Sequence, residues 1–222
     1  HILVSMGGFD PENRTLRILE TIAGTKYSGQ LAVTVVCGEK DPNSVAAMSA
    51  LAGRFGSLDI RQRVSNMAEL MAAADLAIVS CGGHPKDINF IQAHKALDYG
   101  VHAVKPGGTV ILLAACPDGF GNDTFFDWFN YEDLDIFEKA LRSRYEINGQ
   151  TAWSTLSKAR VWRVILISEF TREQTEKMGM EKAASLDEAV QMAYKQLPDN
   201  PEIVVIPDGG TILPVIRPKR EA

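Results

Sequence analysis

The strongest constraint on the fold is a series of short apolar runs separated by stretches with helical periodicity. The clearest runs cover residues 31–37, 76–79, 109–115, 161–168 and 203–206. Few polar residues interrupt them, which is typical of parallel strands that helices cover on both faces. Their alternation with helices predicts a three-layer α/β fold, Rossmann-like and doubly wound, with a mostly parallel sheet of about seven strands.

Capping residues and apolar periodicity predict where the helices begin and end. Asp10 and Asn66 are predicted N-caps, Gly24 is predicted to end the first helix, and Ser185 opens a capping box. Helices are predicted over about 43–55, 67–74, 88–104, 151–160, 171–178 and 185–197, with two more strands near 2–6 and 58–61. The segments 124–129 and 134–142 are amphipathic and rich in aromatic residues.

Composition limits the class of protein. The chain has 222 residues, is 45% hydrophobic and carries a net charge of −5, which predicts a globular protein without a nucleic-acid surface. No apolar run approaches the ~20 residues of a membrane span, and no signal peptide is predicted. The three cysteines are expected to be buried in a reducing cytoplasm. Because the chain opens at His1 directly on a strand, we expect a fragment of a longer protein.

The stretch 80–95 has the pattern of a ligand site in such a fold. A buried strand leads into Gly82 and Gly83, and a helix follows with Asp87 as its predicted N-cap. Open α/β sheets bind ligands at such strand–turn–helix junctions. Gln92 and Lys95 are three residues apart and share a helix face, where an ammonium beside a carboxamide suits a carboxylate ligand. The alternative is a solvated helix face without function.

The same stretch carries a family resemblance. The pattern Gly-Gly-x-Pro-Lys-Asp-x-Asn over 82–89, followed by Gln92 and Lys95, resembles the C-terminal domain of the nickel-dependent lactate racemase family. Similar motifs continue through 103–108, 118–121 and 206–210. The resemblance covers about residues 80–216 and implies racemisation or epimerisation of a 2-hydroxy acid with a nickel pincer nucleotide.

The resemblance also implies roles for individual residues. Gln92 and Lys95 are expected to bind the substrate carboxylate, and Gly82 and Gly83 to lie against the cofactor. The family's tyrosine beside this glutamine is Ile91 here. The family's catalytic histidines, its metal-binding histidine and the lysine bonded to its cofactor belong to an N-terminal domain outside this sequence. The isolated chain is therefore expected to hold no cofactor and to be inactive, with a small 2-hydroxy acid or nothing as its ligand.

Residues 1–80 resemble a different family. The motifs at 2–13 and 66–75 are similar to the C-terminal half of GT-B type enzymes, above all the UDP-sugar hydrolase of the pseudaminic acid pathway. The nucleotide-binding Glu helix of that family is missing after Gly83. We therefore predict one α/β domain over 1–222, built from pieces 1–80 and 81–222, with an engineered chimera as the preferred origin. A natural fusion, a sequence-assembly accident, a nucleotide-sugar module and a designed fold without activity are the alternatives.

Other candidate sites have simpler explanations. His84, His94 and His102 lack the further donors that a credible metal site requires. A nucleophilic or metal-binding role for Cys81 or Cys116 is a minor alternative to burial. The glycines at 7–8 and 209–210 are expected to form turns rather than phosphate sites, and Lys86-Asp87 a capping pair.

Overall fold

The computed structural model describes residues 2–5, 14–26, 28–37, 42–62, 74–199, 201–206 and 208–211. Its strands are β1 (Ile2–Ser5), β2 (Ala32–Cys37), β3 (Ser57–Gln62), β4 (Ala74–Ser80), β5 (Val104–Leu113), β6 (Arg163–Ile167), β7 (Glu181–Ala183) and β8 (Ile203–Ile206). Its helices are α1 (Arg14–Ala23), α2 (Pro42–Ser49), α3 (Phe90–Gly100), α4 (Leu134–Ser143), α5 (Gly149–Val161), α6 (Arg172–Lys177) and α7 (Leu186–Tyr194).

All eight described strands form one parallel sheet in the order β3-β2-β1-β8-β4-β5-β6-β7. The predicted α/β class and doubly wound parallel sheet are confirmed. The strand that the sequence did not predict is β7, whose three residues Glu-Lys-Ala carry no apolar pattern. It is ordered by pairing with β6, and Arg163 of β6 binds Glu181 with two hydrogen bonds of 2.6 and 2.8 Å.

The last strand lies between the two halves of the sheet. Val205 of β8 is in register with Val4 of β1 on one side and with Ile78 of β4 on the other. Strands from before and after residue 80 are therefore joined by backbone hydrogen bonds through β8. In a doubly wound sheet this is the place where the strand order reverses, and ligands bind beyond the carboxyl ends of the strands there.

The core consists of two apolar layers, one on each face of the sheet. Leu76, Ile111 and Ile165 are fully buried in one layer, whereas their neighbours Val110 and Leu112 are buried in the other. Alternate residues of a strand point to opposite faces, so these strands are covered on both sides. This is the arrangement that their uninterrupted apolar character predicted.

The elements next to β5 differ from the sequence expectation. The turn expected at 105–108 is a bulge within β5, because the pairing steps from Ala74 with Val104 to Leu76 with Thr109. Gly107 adopts a φ of +81°, which only glycine accepts readily. The helix expected over 88–104 is shorter, because it ends at Gly100 and a 3₁₀ turn over Val101–Ala103 leads into the strand.

The helix expected over 43–55 also ends early, at Ser49, and a 3₁₀ turn over Ala52–Arg54 follows it, whereas the other described boundaries agree with prediction to within a few residues. The Ser185 capping hydrogen bond is present, since its Oγ accepts from Glu188 N at 3.2 Å. The predicted caps Asp10 and Asn66 and residues 67–73 of the helix expected over 67–74 lie outside the described residues, whereas Ala74 is the first residue of β4. None of the helices in the described parts of the chain combines the length and apolar character that crossing a bilayer requires.

The shared sheet leads to an expectation for unfolding. Because β8 bonds to both β1 and β4, residues 1–80 and 81–222 should unfold together, in one cooperative transition. Urea unfolding followed by both circular dichroism and tryptophan fluorescence should give coincident curves. All three tryptophans lie after residue 80, at 128, 153 and 162, so the fluorescence reports on that piece alone. A fluorescence transition clearly separate from the dichroism transition would show two independent units.

Candidate functional site

The site lies where β4 and β8 end, at the reversal of strand order. After Ser80, the amide of Cys81 still donates to Leu113 O of the neighbouring strand at 3.1 Å. The chain then turns through Gly82 and Gly83, whose φ angles are +89° and +75°. Both values lie in the region that favours glycine, so the Gly-Gly pair is what allows the chain to leave the sheet here.

Gly82 also makes room for an acidic residue from the other strand end. A Cβ at Gly82 would lie 2.7 Å from Asp208 Oδ1, whereas a Cβ at Gly83 would contact nothing within 4 Å. Asp208 in turn pairs with Lys86, whose Nζ lies 2.5 Å from Asp208 Oδ2. The loop after β4 and the segment after β8 are thus joined by an ion pair at Gly82.

The helix that carries the predicted binding residues is capped by Asn89, and the prediction of Asp87 as N-cap is wrong. Asn89 Oδ1 accepts from Gln92 N at 3.0 Å. Asp87 is buried instead, and its Oδ2 accepts from Ala115 N at 3.1 Å. The sequence suggested Asp87 because aspartate is a good cap, but the loop turns once more before the helix, with Ile88 N bonded to Pro85 O at 3.3 Å.

Gln92 and Lys95 meet at a small cavity. Lys95 Nζ donates to Gln92 Oε1 at 2.8 Å, which places both polar groups on the face that their spacing predicted. The cavity has a volume of about 120 Å³ and is lined by Cys81, Lys86, Gln92, Lys95, Ala96 and Gly210. Gly82 and Gly83 shape the neighbouring turn but are not among its lining residues. Their predicted role against a cofactor therefore stays a prediction, as does substrate binding by Gln92 and Lys95.

Sequence reasoning missed two contributors to this cavity. Lys86 was interpreted as half of a capping pair, yet its side chain lines the cavity. The glycines after Asp208 do form a short 3₁₀ turn, Gly209–Thr211, but Gly210 is also part of the wall. A Cβ at Gly209 would lie 2.5 Å from Val79 Cγ1, so this turn packs directly on β4. The repeated glycines were the available signal, but only the strand order places them beside Gly82.

The cysteine that lines the cavity is buried and uncharged. Cys81 is 1% exposed, and its Sγ contacts Ala93 O at 3.6 Å. Burial raises the pKa of the Cys81 thiol far above its usual range, and burial raises the pKa of Cys116 to about 12. Both are uncharged free thiols at neutral pH, as expected for buried small hydrophobic residues. The side chain of Cys37 lies outside the described part of the structure.

His94 lies on the same helix but faces α5 instead of the cavity. Its Nε2 is 3.9 Å from Asp98 Oδ1, and that oxygen lies 2.5 Å from Lys158 Nζ. Burial, reinforced by the Lys158 charge and opposed by Asp98, lowers the pKa of His94 to about 4. Among the described residues, no three His, Cys, Asp or Glu side chains are grouped closely enough to hold a metal ion.

The burial of His94 gives the protein a pH-dependent stability. The pKa of His94 falls from about 6.5 in the unfolded chain to about 4 in the fold. The stability that the neutral, buried imidazole allows is therefore fully present above pH 6.5 and is lost as the pH falls toward 4. Between pH 7 and pH 5 the free energy of unfolding should fall by about 2 kcal/mol from this residue. Urea unfolding of the wild type and His94→Gln at both pH values measures it. Equal losses in the two proteins would contradict the assignment.

Comparison with known proteins identifies the family. The family model described as the lactate racemase C-terminal domain matches residues 70–214. This chain belongs to the lactate racemase C-terminal domain family. The match begins ten residues before the expected start at 80 and includes β4, the cavity and β8.

Individual relatives agree with this assignment. The chain is 32% identical over 157 residues to a lactate racemase of Thermoanaerobacterium thermosaccharolyticum, covering 68% of this chain and 37% of that protein. It is 32% identical over 143 residues to a lactate racemase of Lactiplantibacillus plantarum, covering 61% of this chain and 33% of that protein. The chain thus spans about a third of the curated relatives it matches.

A solved structure extends the likeness in fold beyond the family match. The lactate racemase apoprotein of Thermoanaerobacterium thermosaccharolyticum superimposes on 96% of this chain and 62% of its own, with a TM-score of 0.58 and 22% identity. At that identity the likeness concerns the fold alone. It includes the part of the chain before residue 70, which the family match does not reach.

The nickel pincer nucleotide implied by the family does not fit the described residues as a self-contained site. The cavity of about 120 Å³ suits a ligand of a few heavy atoms and not a nucleotide. Its lining offers an ammonium pair, an amide and a neutral thiol, which lack the deprotonated or imidazole donors that nickel prefers. The donor set present here matches a carboxylate ligand.

Proposed function

We propose that this chain provides the carboxylate-binding part of a lactate racemase-type isomerase acting on a small 2-hydroxy acid. The observation that supports this most is the Lys95–Gln92 hydrogen bond of 2.8 Å at the mouth of a small cavity. Family membership over residues 70–214 supports the choice of a 2-hydroxy acid. Proton or hydride transfer is assigned to groups outside this sequence, so the isolated chain should not racemise lactate.

The arrangement leaves suitable donors for a carboxylate. An ammonium has three N–H groups, and Lys95 uses one of them on Gln92 Oε1. The other two, together with the amide N–H groups of Gln92, can donate to the two oxygens of a carboxylate. Gln92 also fixes the position of the ammonium, which reduces the entropy lost when a ligand is bound. The proposed work of this chain is therefore to bind and orient the substrate.

Lys95→Ala tests this proposal. Lys95 is exposed and makes no ion pair with any described residue, so its loss should change the free energy of unfolding by no more than about 0.5 kcal/mol. Lactate binding, measured by calorimetric titration at low salt, should fall at least tenfold because a charge-assisted hydrogen bond is lost. Lys139→Ala, which removes an exposed lysine from α4, is the matched control and should leave binding unchanged. Equal lactate binding by both variants would refute the proposal, and a stability loss of several kcal/mol would make Lys95 a structural residue.

A second proposal concerns the origin of residues 1–80. We infer a piece related to UDP-sugar hydrolases of the GT-B type, joined near residues 80–83 as an engineered chimera. Its support is the motif resemblance at 2–13 and 66–75 alone, because the family match from residue 70 and the lactate racemase fold over 96% of this chain count against a join at 80–83. A thermal-shift comparison of UDP, lactate and buffer separates the candidates. A UDP-specific stabilisation would favour a nucleotide-sugar module, and no response to either ligand would favour a fold without activity.

A further inference from the structure

Two lysines contribute to the cavity, and they differ in their partners. Lys95 is bonded to an uncharged amide, whereas Lys86 is paired with the carboxylate of Asp208 at 2.5 Å. The Lys86–Asp208 pair is partly shielded, with side-chain exposures of 40% and 23%. Lys86 therefore brings a charge to the cavity wall that Asp208 balances.

Among the described residues, the charged side chains that line the cavity or form an ion pair with a lining side chain add to plus one. Lys86 and Lys95 line the cavity, and Asp208 forms an ion pair with Lys86. Asp87 also carries a negative charge near Cys81, but this charge is the same in every variant described below, and Asp87 Oδ2 accepts a hydrogen bond from Ala115 N at 3.1 Å. A single carboxylate neutralises a net charge of plus one. A second negative charge on the ligand would be repelled by Asp208 and would have no further cation of the cavity to pair with.

We propose that Asp208, by neutralising Lys86, makes this cavity select singly charged carboxylates over doubly charged anions. The inference rests on the proposed carboxylate site and adds to it the residue that sets ligand charge. Asp208 acts here as a specificity residue through Lys86 and need not touch the ligand. Unit charges a few ångströms apart near a protein surface interact strongly enough to change affinity tenfold or more.

Oxamate and oxalate form a matched pair of probes. They have nearly the same shape and differ by one negative charge, so the ratio of their dissociation constants reports charge selectivity and cancels most other effects. In the full chain at low ionic strength, the wild type should bind oxamate in preference to oxalate. Asp208→Asn raises the local charge to plus two and should shift the ratio about tenfold toward oxalate.

Two further variants lower the local charge and then restore it. Lys86→Gln lowers the local charge to zero and should shift the ratio toward oxamate. The double variant Lys86→Gln with Asp208→Asn returns the charge to plus one and should restore the wild-type ratio. A purely structural role for the ion pair would weaken both probes equally in each single variant and leave the ratio unchanged. If Asp208→Asn fails to fold, the opposite shift expected in Lys86→Gln still tests whether the local charge sets the ratio.

The outcomes separate this inference from the proposed function. An unchanged ratio across the three variants, with oxamate binding that depends on Lys95, would overturn the charge-selection role and leave the carboxylate site in place. Failure of the wild type to bind either probe would overturn the carboxylate site and this inference with it. Ratios that follow the local charge, including recovery in the double variant, are the result expected.

Discussion

Phe90→Ala is expected to lower the free energy of unfolding by about 3–5 kcal/mol, the usual range for removing a buried phenylalanine. Phe90 begins α3, is 0% exposed, and has ring centroids of Phe125 and Phe170 at 5.9 and 6.1 Å. Its amide also donates to Gly119 O at 3.0 Å. The ring therefore fixes the first turn of the helix that carries Gln92 and Lys95.

Phe126→Ala is the matched control for Phe90→Ala. Phe126 is a partly buried ring of the same aromatic group, stacked on Phe120 at 4.5 Å and covered by Lys177. Because much of this ring remains in contact with water, its removal should cost about 1–2 kcal/mol. Urea unfolding measures both losses. Similar losses for the two variants would show that Phe90 is not the anchor of the helix.

Gly82→Ala is expected to cost about 2–3 kcal/mol and to weaken lactate binding. The new Cβ would meet Asp208 Oδ1 at 2.7 Å, and alanine is strained at a φ of +89°. Asp208 must then move, which disturbs its pairing with Lys86 at the cavity. Unfolding and calorimetric titration together measure the two effects.

Gly83→Ala separates backbone strain from the contact with Asp208. Gly83 has a similar φ of +75°, but its Cβ would meet nothing within 4 Å. Only the strain of the left-handed region remains, about 1–2 kcal/mol, and lactate binding should be unchanged. If Gly83→Ala weakens binding as much as Gly82→Ala does, the Asp208 contact is not what shapes the cavity.

The sequence predicted those parts of the fold that depend on local pattern. The apolar run at 203–206 coincides with β8. Gln92 and Lys95 share a helix face, as their hydrogen bond shows. These predictions succeeded because side-chain periodicity and burial are encoded within a few residues. The position of β8 between β1 and β4 was not predicted, since strand order depends on contacts between distant segments.

The same limit explains what was missed at the site. Lys86 and Asp208 are separated by more than a hundred residues, and nothing in either local pattern indicates their pairing. Asp87 has a favourable residue type for a cap, but tertiary contact with Ala115 determines its position. Long-range pairing therefore fixed the details of the cavity, whereas local sequence fixed only its place after β4.

A small carboxylate should bind between Gln92, Lys95 and Gly210. Backbone amide NMR during a lactate titration of the full chain locates this ligand, because each shift reports its position. Saturable shifts confined to residues 81–83, 86, 92–96 and 209–210 are expected. Another cavity, of about 370 Å³, lies at the opposite end of β5 and β6 beside Arg160 and Arg163. Shifts centred on that cavity, or none that saturate, would refute carboxylate binding beside Gln92 and Lys95.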